Sequence, residues 1–516
     1  MLATIIKRRF LDNLLTSRFL IAAILIEILF VSSTAVLIRD FSKRQQQYRT
    51  TLQEHREQLQ DVPVWAMLSV RLDRPPLPMS VFSAGADRRL AKSVAVAHND
   101  APEMVGGAEE DNPLLAVFAG LDMITVIQVV LSLAVLLFSY NIVSGEKESG
   151  TLRLVLANRV PRHTFLAGNF IGGLASIMVP LLAGFLSALL LALLHPAISL
   201  SGADILRLLL LLPAAVLFLS FFFSLGVLFS ILMKRSATSL VFLLFIWVFF
   251  VMILPPAAVY VARHIRPVES KSVVDQQADR LRGEWRREMV RYTESHPRPD
   301  HDWNLIRGRS VMTGSLPYAY HLGFAPRGVA GWMIDGSVYG HNLRIDYENR
   351  VYTVFHDYQQ RLFRQADLVQ QLSRLSPAWL FFRYSSLVAA TDASAQLRFL
   401  EQAEQYRQRL IQYIRDKEGL SGYRLITYHP EEAFPTAEEL AAIRISRGNA
   451  GIEAVIDRMY TEPRPLDLSD IPEFSFSVPG PIESLYNALP ELAVLLLLGI
   501  LFSIACWAAF LRADVR

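Results

Sequence analysis

Six uncharged, apolar runs of about 20 residues constrain this chain more than any other feature. The hydrocarbon core of a bilayer is ~30 Å thick, which about 20 helical residues cross at 1.5 Å each. The runs lie at residues 19–38, 119–140, 170–194, 208–233, 238–261 and 489–511. Glu27 is the one charge inside the first, and Asp122 sits near one end of the second. In lipid the backbone must pair its own N–H and C=O groups, so each run is expected to be a helix. Of the 516 residues, 52% are hydrophobic and 19% charged, against about 25% charged in an ordinary soluble domain. That balance argues against a purely soluble enzyme and against a disordered chain. The expected fold class is an all-α membrane protein: six transmembrane helices, an N-terminal interfacial helix, and a mainly helical extracytoplasmic domain with minor strand content.

Orientation follows from lysine and arginine in the short loops. If the N-terminus is inside, the inner pieces are 1–18, 141–169, 234–237 and 512–516. They hold 12 basic residues against four acidic ones, although the whole chain carries only +3. The short outer loop at 195–206 has no lysine and no arginine before Arg207. Both termini are therefore expected in the cytoplasm of a multi-pass protein. The first apolar run is too long for the core of a signal peptide, and no small-x-small cleavage site follows it. Residues 1–18 read instead as an interfacial helix, with Leu2, Ile6, Phe10 and Leu14 on one stripe. A net charge this small does not suggest a nucleic acid partner. The one cysteine, Cys506, permits no intrachain disulfide.

Two segments are expected outside. Residues 39–118 are polar, contain Gly106 and Gly107, and open with a charged run that continues the first span as helix. Residues 262–488 are long enough to bury a core of their own. Their apolar residues recur at three-four spacing around Val274–Met289, Val351–Leu372 and Leu397–Ile414. Thr436 and Glu439 form a capping-box pattern before another periodic run. Residues 297–340 read as loop, 423–428 as a short strand, and 463–481 as an extended lead-in to the last span.

The loop at 141–169 is short, inner and dense in charge. Gly145 and Gly150 permit bends around Glu146, Lys147 and Glu148, and Thr151 and Leu152 open a short helix that Pro161 ends. The run Ser144-Gly-Glu-Lys-Glu-Ser-Gly-Thr-Leu152, with Arg-Val-Pro-Arg at 159–162 and Gly168, resembles the signature of ABC-2-type permeases. These are the membrane subunits of ATP-binding-cassette transporters. Residues 375–380, 390–392 and 510–516 resemble a bacterial subgroup with a large extracytoplasmic insert between spans five and six.

The resemblance implies a permease subunit in a bacterial plasma membrane, coupling ATP hydrolysis on a separate cassette subunit to substrate export. Residues 146–158 would be its coupling helix, and Gly145, Glu146, Lys147, Glu148, Gly150, Thr151 and Leu152 its contact with the ATPase. ATP and Mg would sit on that partner, because this chain has no Gly-x4-Gly-Lys-Ser/Thr phosphate loop. A second permease copy, identical or related, and membrane lipid are the other implied partners. The external domain would select substrate, gate the outer mouth or dock an envelope partner. Two other readings stay open: a cassette-driven lever or scaffold without a pore, and a membrane-embedded enzyme.

Glu27 lies mid-bilayer, where a charge costs ~3 kcal/mol. It is read either as a polar site facing the path between copies or as a hydrogen-bonded carboxyl within the bundle. Asp122 and Glu491 are expected to reach water. Seven of the 11 histidines fall in 262–488; His296, His301, His321, His341 and His356 among them lack metal-ligand spacing, and no nucleophile motif is present, so no catalytic or metal residue is assigned.

Overall fold

A computed structural model describes residues 2–105, 121–152, 161–300, 305–309, 320–460 and 465–512. Among these residues, six helices are long and apolar enough to cross a membrane. These are α2 (Ser17–Gln60), α3 (Met123–Glu148), α4 (Arg162–Leu194), α5 (Gly202–Leu232), α6 (Ser236–Ile265) and α12 (Pro481–Arg512). The fold class is thus as the apolar runs predict. The first two residues expected in the second span, 119 and 120, lie outside the described residues, as do Gly106 and Gly107.

The N-terminal helix α1 (Leu2–Leu14) is present and packs on α4. Small residues make that contact possible. A Cβ on Gly172 would stand 2.7 Å from the carbonyl oxygen of Ile6, and one on Gly168 would strike Ile5. Asn13 Nδ2 then donates to Ser176 Oγ across 3.2 Å. Gly168, Gly172 and Ser176 are spaced by four, so they line one face of α4.

We call the side of the bundle that holds α1 and the end of α12 basal, and the other side distal. Arg162, at the start of α4, donates to the carbonyl of Leu511 at 2.9 Å, which places the end of α12 beside α4. The helix α2 runs on past its apolar half without a break, as its charged continuation predicts. Its distal part is locked by charge: Arg44 meets Asp40 at 2.9 Å and buried Asp87 at 2.7 Å, and Arg74 meets Asp87 at 2.6 Å.

The distal body joins the segment after α2 and the segment between α6 and α12 around one core. The first supplies an antiparallel three-stranded sheet: β1 (Ser69–Asp73), β2 (Ser93–Ala97) and β3 (Asp100–Val105). Leu68, Val70, Leu72, Val94 and Val96 pack there against Val329, Met333, Phe399 and Leu410 of the second. The second supplies α7 (Lys271–Ser295), a short antiparallel pair β4 (Arg307–Arg309) and β5 (His321–Phe324), α8 (Arg327–Ser373), α9 (Pro377–Val388), α10 (Ser394–Asp416) and α11 (Ala437–Tyr460). The capping box at Thr436 and Glu439 forms, with both reciprocal hydrogen bonds.

Three local expectations are corrected. Residues 327–340, expected as loop, are the first turns of α8, whose Gly340 carbonyl accepts from the buried Trp285 indole at 3.1 Å. Residues 423–425 form a 3-10 turn, not a strand, because the Leu425 N–H returns to the Gly422 carbonyl at 3.1 Å and the Ile426 N–H to the Tyr423 carbonyl at 3.2 Å. Asp122 and Glu491 do not reach water. Asp122 is 4% exposed, caps α3 and accepts the Ala84 N–H at 2.9 Å; Glu491 is buried against Arg374 at 3.5 Å.

Candidate functional site

The basal end of α3, with the residues that follow it, is where charge and glycine concentrate, and the structure shows what those residues hold. Residues Ser144–Glu148 form a short helical turn beneath the second span. The N–H groups of Val143 and Ser144 both donate to Ser230 Oγ, each across 2.9 Å. Ser144 Oγ lies 3.2 Å from Ser230 Oγ and 3.1 Å from Ser236 Oγ. Ser230 is near the end of α5, and Ser236 opens α6. One small hydroxyl cluster therefore pins three spans together.

The charged residues extend this pinning. A helix leaves its last carbonyls and first N–H groups without internal partners. Lys147 Nζ donates to the Ile231 carbonyl at the end of α5. Glu148 accepts the Ser236 N–H at 2.9 Å and the Ser236 hydroxyl at 2.7 Å. Arg235, the residue before α6, gives that helix no side-chain cap, so Glu148 supplies the cap from another element. A carboxylate at a helix N-terminus also faces the favourable end of the macrodipole.

Glu146 accepts a hydrogen bond from Thr151 Oγ1 and so closes the turn. Gly150 has φ +70, a conformation that residues with a Cβ rarely adopt, and the space around it is open. Leu152 is buried in the bundle core. The seven residues singled out in the sequence thus form one basal node. Gly145, Glu146 and Lys147 are half-buried, while Glu148, Ser149 and Gly150 are exposed. Residues 153–158 of the expected coupling helix lie outside the described residues, as does 159–160 of the Arg-Val-Pro-Arg run.

A family model described as "ABC-2 family transporter protein" matches residues 4–515. The chain belongs to this family. No curated protein matches it in a sequence search. This ABC-2 protein is a multi-pass membrane protein and an ABC-transporter permease. The family implies an ABC ATPase as its partner and a dimeric assembly.

Sequence reading missed the node's partners in this ABC-2 permease. Ser230 and Ser236 lie 86 and 92 positions from Ser144. Their signal was available: two serines flank the only charged pair, Lys234 and Arg235, between two apolar runs. Glu27 is half-buried, and its shielded Oε2 has no hydrogen-bond partner among the described residues. Among the described residues no group of three His, Cys, Asp or Glu side chains is arranged to hold a metal. The aromatic run in α5 packs internally, with Phe218 stacked on Phe381 at 4.8 Å and Phe221 edge-on to Phe502 at 5.0 Å.

Proposed function

We propose that this permease is driven by a separate ATP-hydrolysing cassette subunit that docks on the basal node. The basal face is cytoplasmic in a bacterial plasma membrane, and substrate leaves toward the distal side along a path between two permease copies. The charge count of the loops supports the orientation, since basic residues are retained on the cytoplasmic side. The residue matches at 375–380, 390–392 and 510–516 support the bacterial subgroup with the large insert.

One observation carries the coupling role. The node is bonded to the end of α5 through Ser230 and Lys147 and to the start of α6 through Ser236 and Glu148. A push delivered at Glu146–Leu152 moves α3, α5 and α6 as a unit rather than bending a loose loop. The glycine-bounded turn is short, and its exposed edge at Glu148–Gly150 is free to meet a partner.

A lever reading also has an observation in its favour. The helix α9 of the distal body is packed between α5 and α12 in the distal half of the bundle. Span movement would therefore reach the distal body directly, with or without a pore.

Docking is tested by cysteine cross-linking of full-length chain co-expressed with its cassette subunit. Ser149→Cys is expected to cross-link to the ATPase, while Leu375→Cys, exposed on the distal side of the bundle, is not. The native Cys506 is buried and leaves little background. Failure of Ser149→Cys to cross-link while the two subunits co-purify would overturn the docking site.

A further inference from the structure

The segment after α8 is a re-entrant hairpin. It descends beside α6, where Arg266 Nη1 donates to the Arg364 carbonyl at 3.4 Å, and turns near Leu375. It then rises as α9 inside the bundle. Ser376 Oγ donates to the Phe250 carbonyl of α6 at 2.6 Å. Tyr384 Oη donates to the Leu210 carbonyl of α5 at 3.0 Å, and Arg207 Nη1 donates to the Val388 carbonyl at 2.7 Å. Twelve residues cover about 18 Å, too short to cross a bilayer but long enough to enter its distal half.

Two spans change their winding where they meet this helix. Residues Val126–Leu131 of α3 and Phe249–Ile253 of α6 are π-helical, and both turns pack against α9. The residues flanking the two turns are also joined. Trp247 Nε1 donates to Ser132 Oγ at 2.8 Å, and Ser132 Oγ donates to the Gln128 carbonyl at 2.5 Å. Single π turns are rare and are retained chiefly at functional sites.

The helix α9 has two unlike faces. Leu380, Phe381, Tyr384 and Val388 are buried against the spans. Trp379, Phe382 and Arg383 share the other face, which is half-buried, and the two rings lie 5.8 Å apart. The Trp379 indole N–H and the Arg383 Nε are shielded from solvent, yet neither has a hydrogen-bond partner among the described residues. The neighbouring arginines differ: Arg207 holds two carbonyls and a serine hydroxyl, and Arg374 meets Glu491. A guanidinium stays charged in a protein. At this depth it is stable only with a compensating partner.

We propose that this face binds a phospholipid of the distal leaflet that carries a net negative headgroup. The headgroup phosphate sits on Arg383 with the Trp379 N–H as second donor, and an acyl chain lies along the rings of Trp379 and Phe382. The charge without a partner selects an anion, and the adjoining aromatic pair selects one with an apolar chain. Exposed Met252, Ile253 and Leu375 nearby keep the site's surroundings lipid-like. This site does not depend on the transport reading, since it needs neither the cassette subunit nor ATP.

Native mass spectrometry of the detergent-purified full chain tests it, with dioleoylphosphatidylglycerol, dioleoylphosphatidylcholine and excess inorganic phosphate as probes. The wild type is expected to retain the phosphatidylglycerol about tenfold more strongly than the phosphatidylcholine, the scale of a charged hydrogen bond. Arg383→Gln should abolish that preference, while Arg383→Lys should restore much of it. Retained phosphatidylcholine adducts report that the variants are folded. An unchanged preference in Arg383→Gln would overturn the proposal. So would displacement of the lipid by inorganic phosphate, which would make the ligand a free anion.

Discussion

His98 and His341 lie ring against ring at 5.5 Å in the core of the distal body, and neither is exposed. Burial holds the His341 imidazole down at about 4, and His98 is pushed well below the ordinary range by burial and by His341, Arg407 and Arg344. Asp100 and Glu348 face the same cluster, paired with Arg344 and Arg282, and Arg407 Nη1 bonds Asn349 and Glu404. A histidine whose folded pKa is depressed stabilises the fold fully above its unfolded value near 6.5. That stability is lost as pH falls toward 4, because the unfolded chain then binds the extra protons. The loss assigned to His341 is about 3 kcal/mol over this window. Thermal melts of wild type and His341→Gln should therefore converge as pH drops from 6.5 to 4; parallel curves would show that the pair is not buried neutral. No sequence rule pairs position 98 with 341. By contrast, Gly145–Thr151 was legible because a charged, glycine-bounded run between two apolar ones is rare. Its partners were not legible, because serines at 230 and 236 carry no local mark of what they bond.

At the scale of elements, legibility followed length and period. The six spans and the helices α7, α8 and α10 repeat their apolar positions over several turns, so their existence was clear. The helix α9 was missed because its 12 residues, mostly apolar but broken by Arg383 and two serines, fit a buried or re-entrant helix equally well and fall short of a span. The strands β1 and β2 alternate as Ser-Val-Arg-Leu-Asp and Ser-Val-Ala-Val-Ala, a visible period of two hidden in a segment that prolines and glycines mark as loop. The start of α8 was masked by Gly331, Gly336 and Gly340, which lower helix propensity although tertiary packing there favours the helix. The docking of α1 belongs to this scale too. A methyl group at Gly172 would press on the backbone of Ile6, and overpacking of this kind costs about 1–3 kcal/mol. Gly172→Ala should release α1, so that trypsin cuts at Lys7–Arg9 while the rest of the chain survives. Protection equal to wild type would place the α1 contact elsewhere.

Across the whole molecule, the two ends of the bundle are organised alike. Basally, a hydroxyl cluster with one lysine and one glutamate joins α3, α5 and α6. Distally, Arg207 joins α5 to the end of α9 and to the lead-in of α12, with Ser484 Oγ at 3.2 Å. Between them α5 is tied to α12 by the Ser224–Ser503 hydroxyl pair at 3.2 Å and by Cys506 Sγ, which donates to the Ser224 carbonyl at 2.9 Å. Hydrogen bonds made by α5 thus link the basal node to the distal body. The most direct measurement is the ATPase rate of the cassette subunit reconstituted with full-length permease in lipid. Wild type is expected to stimulate hydrolysis, and Glu146→Lys with Glu148→Lys to lose most of that stimulation, with membrane insertion and the melting of the distal body unchanged. Stimulation equal to wild type in the doubly reversed variant would contradict docking at the basal node.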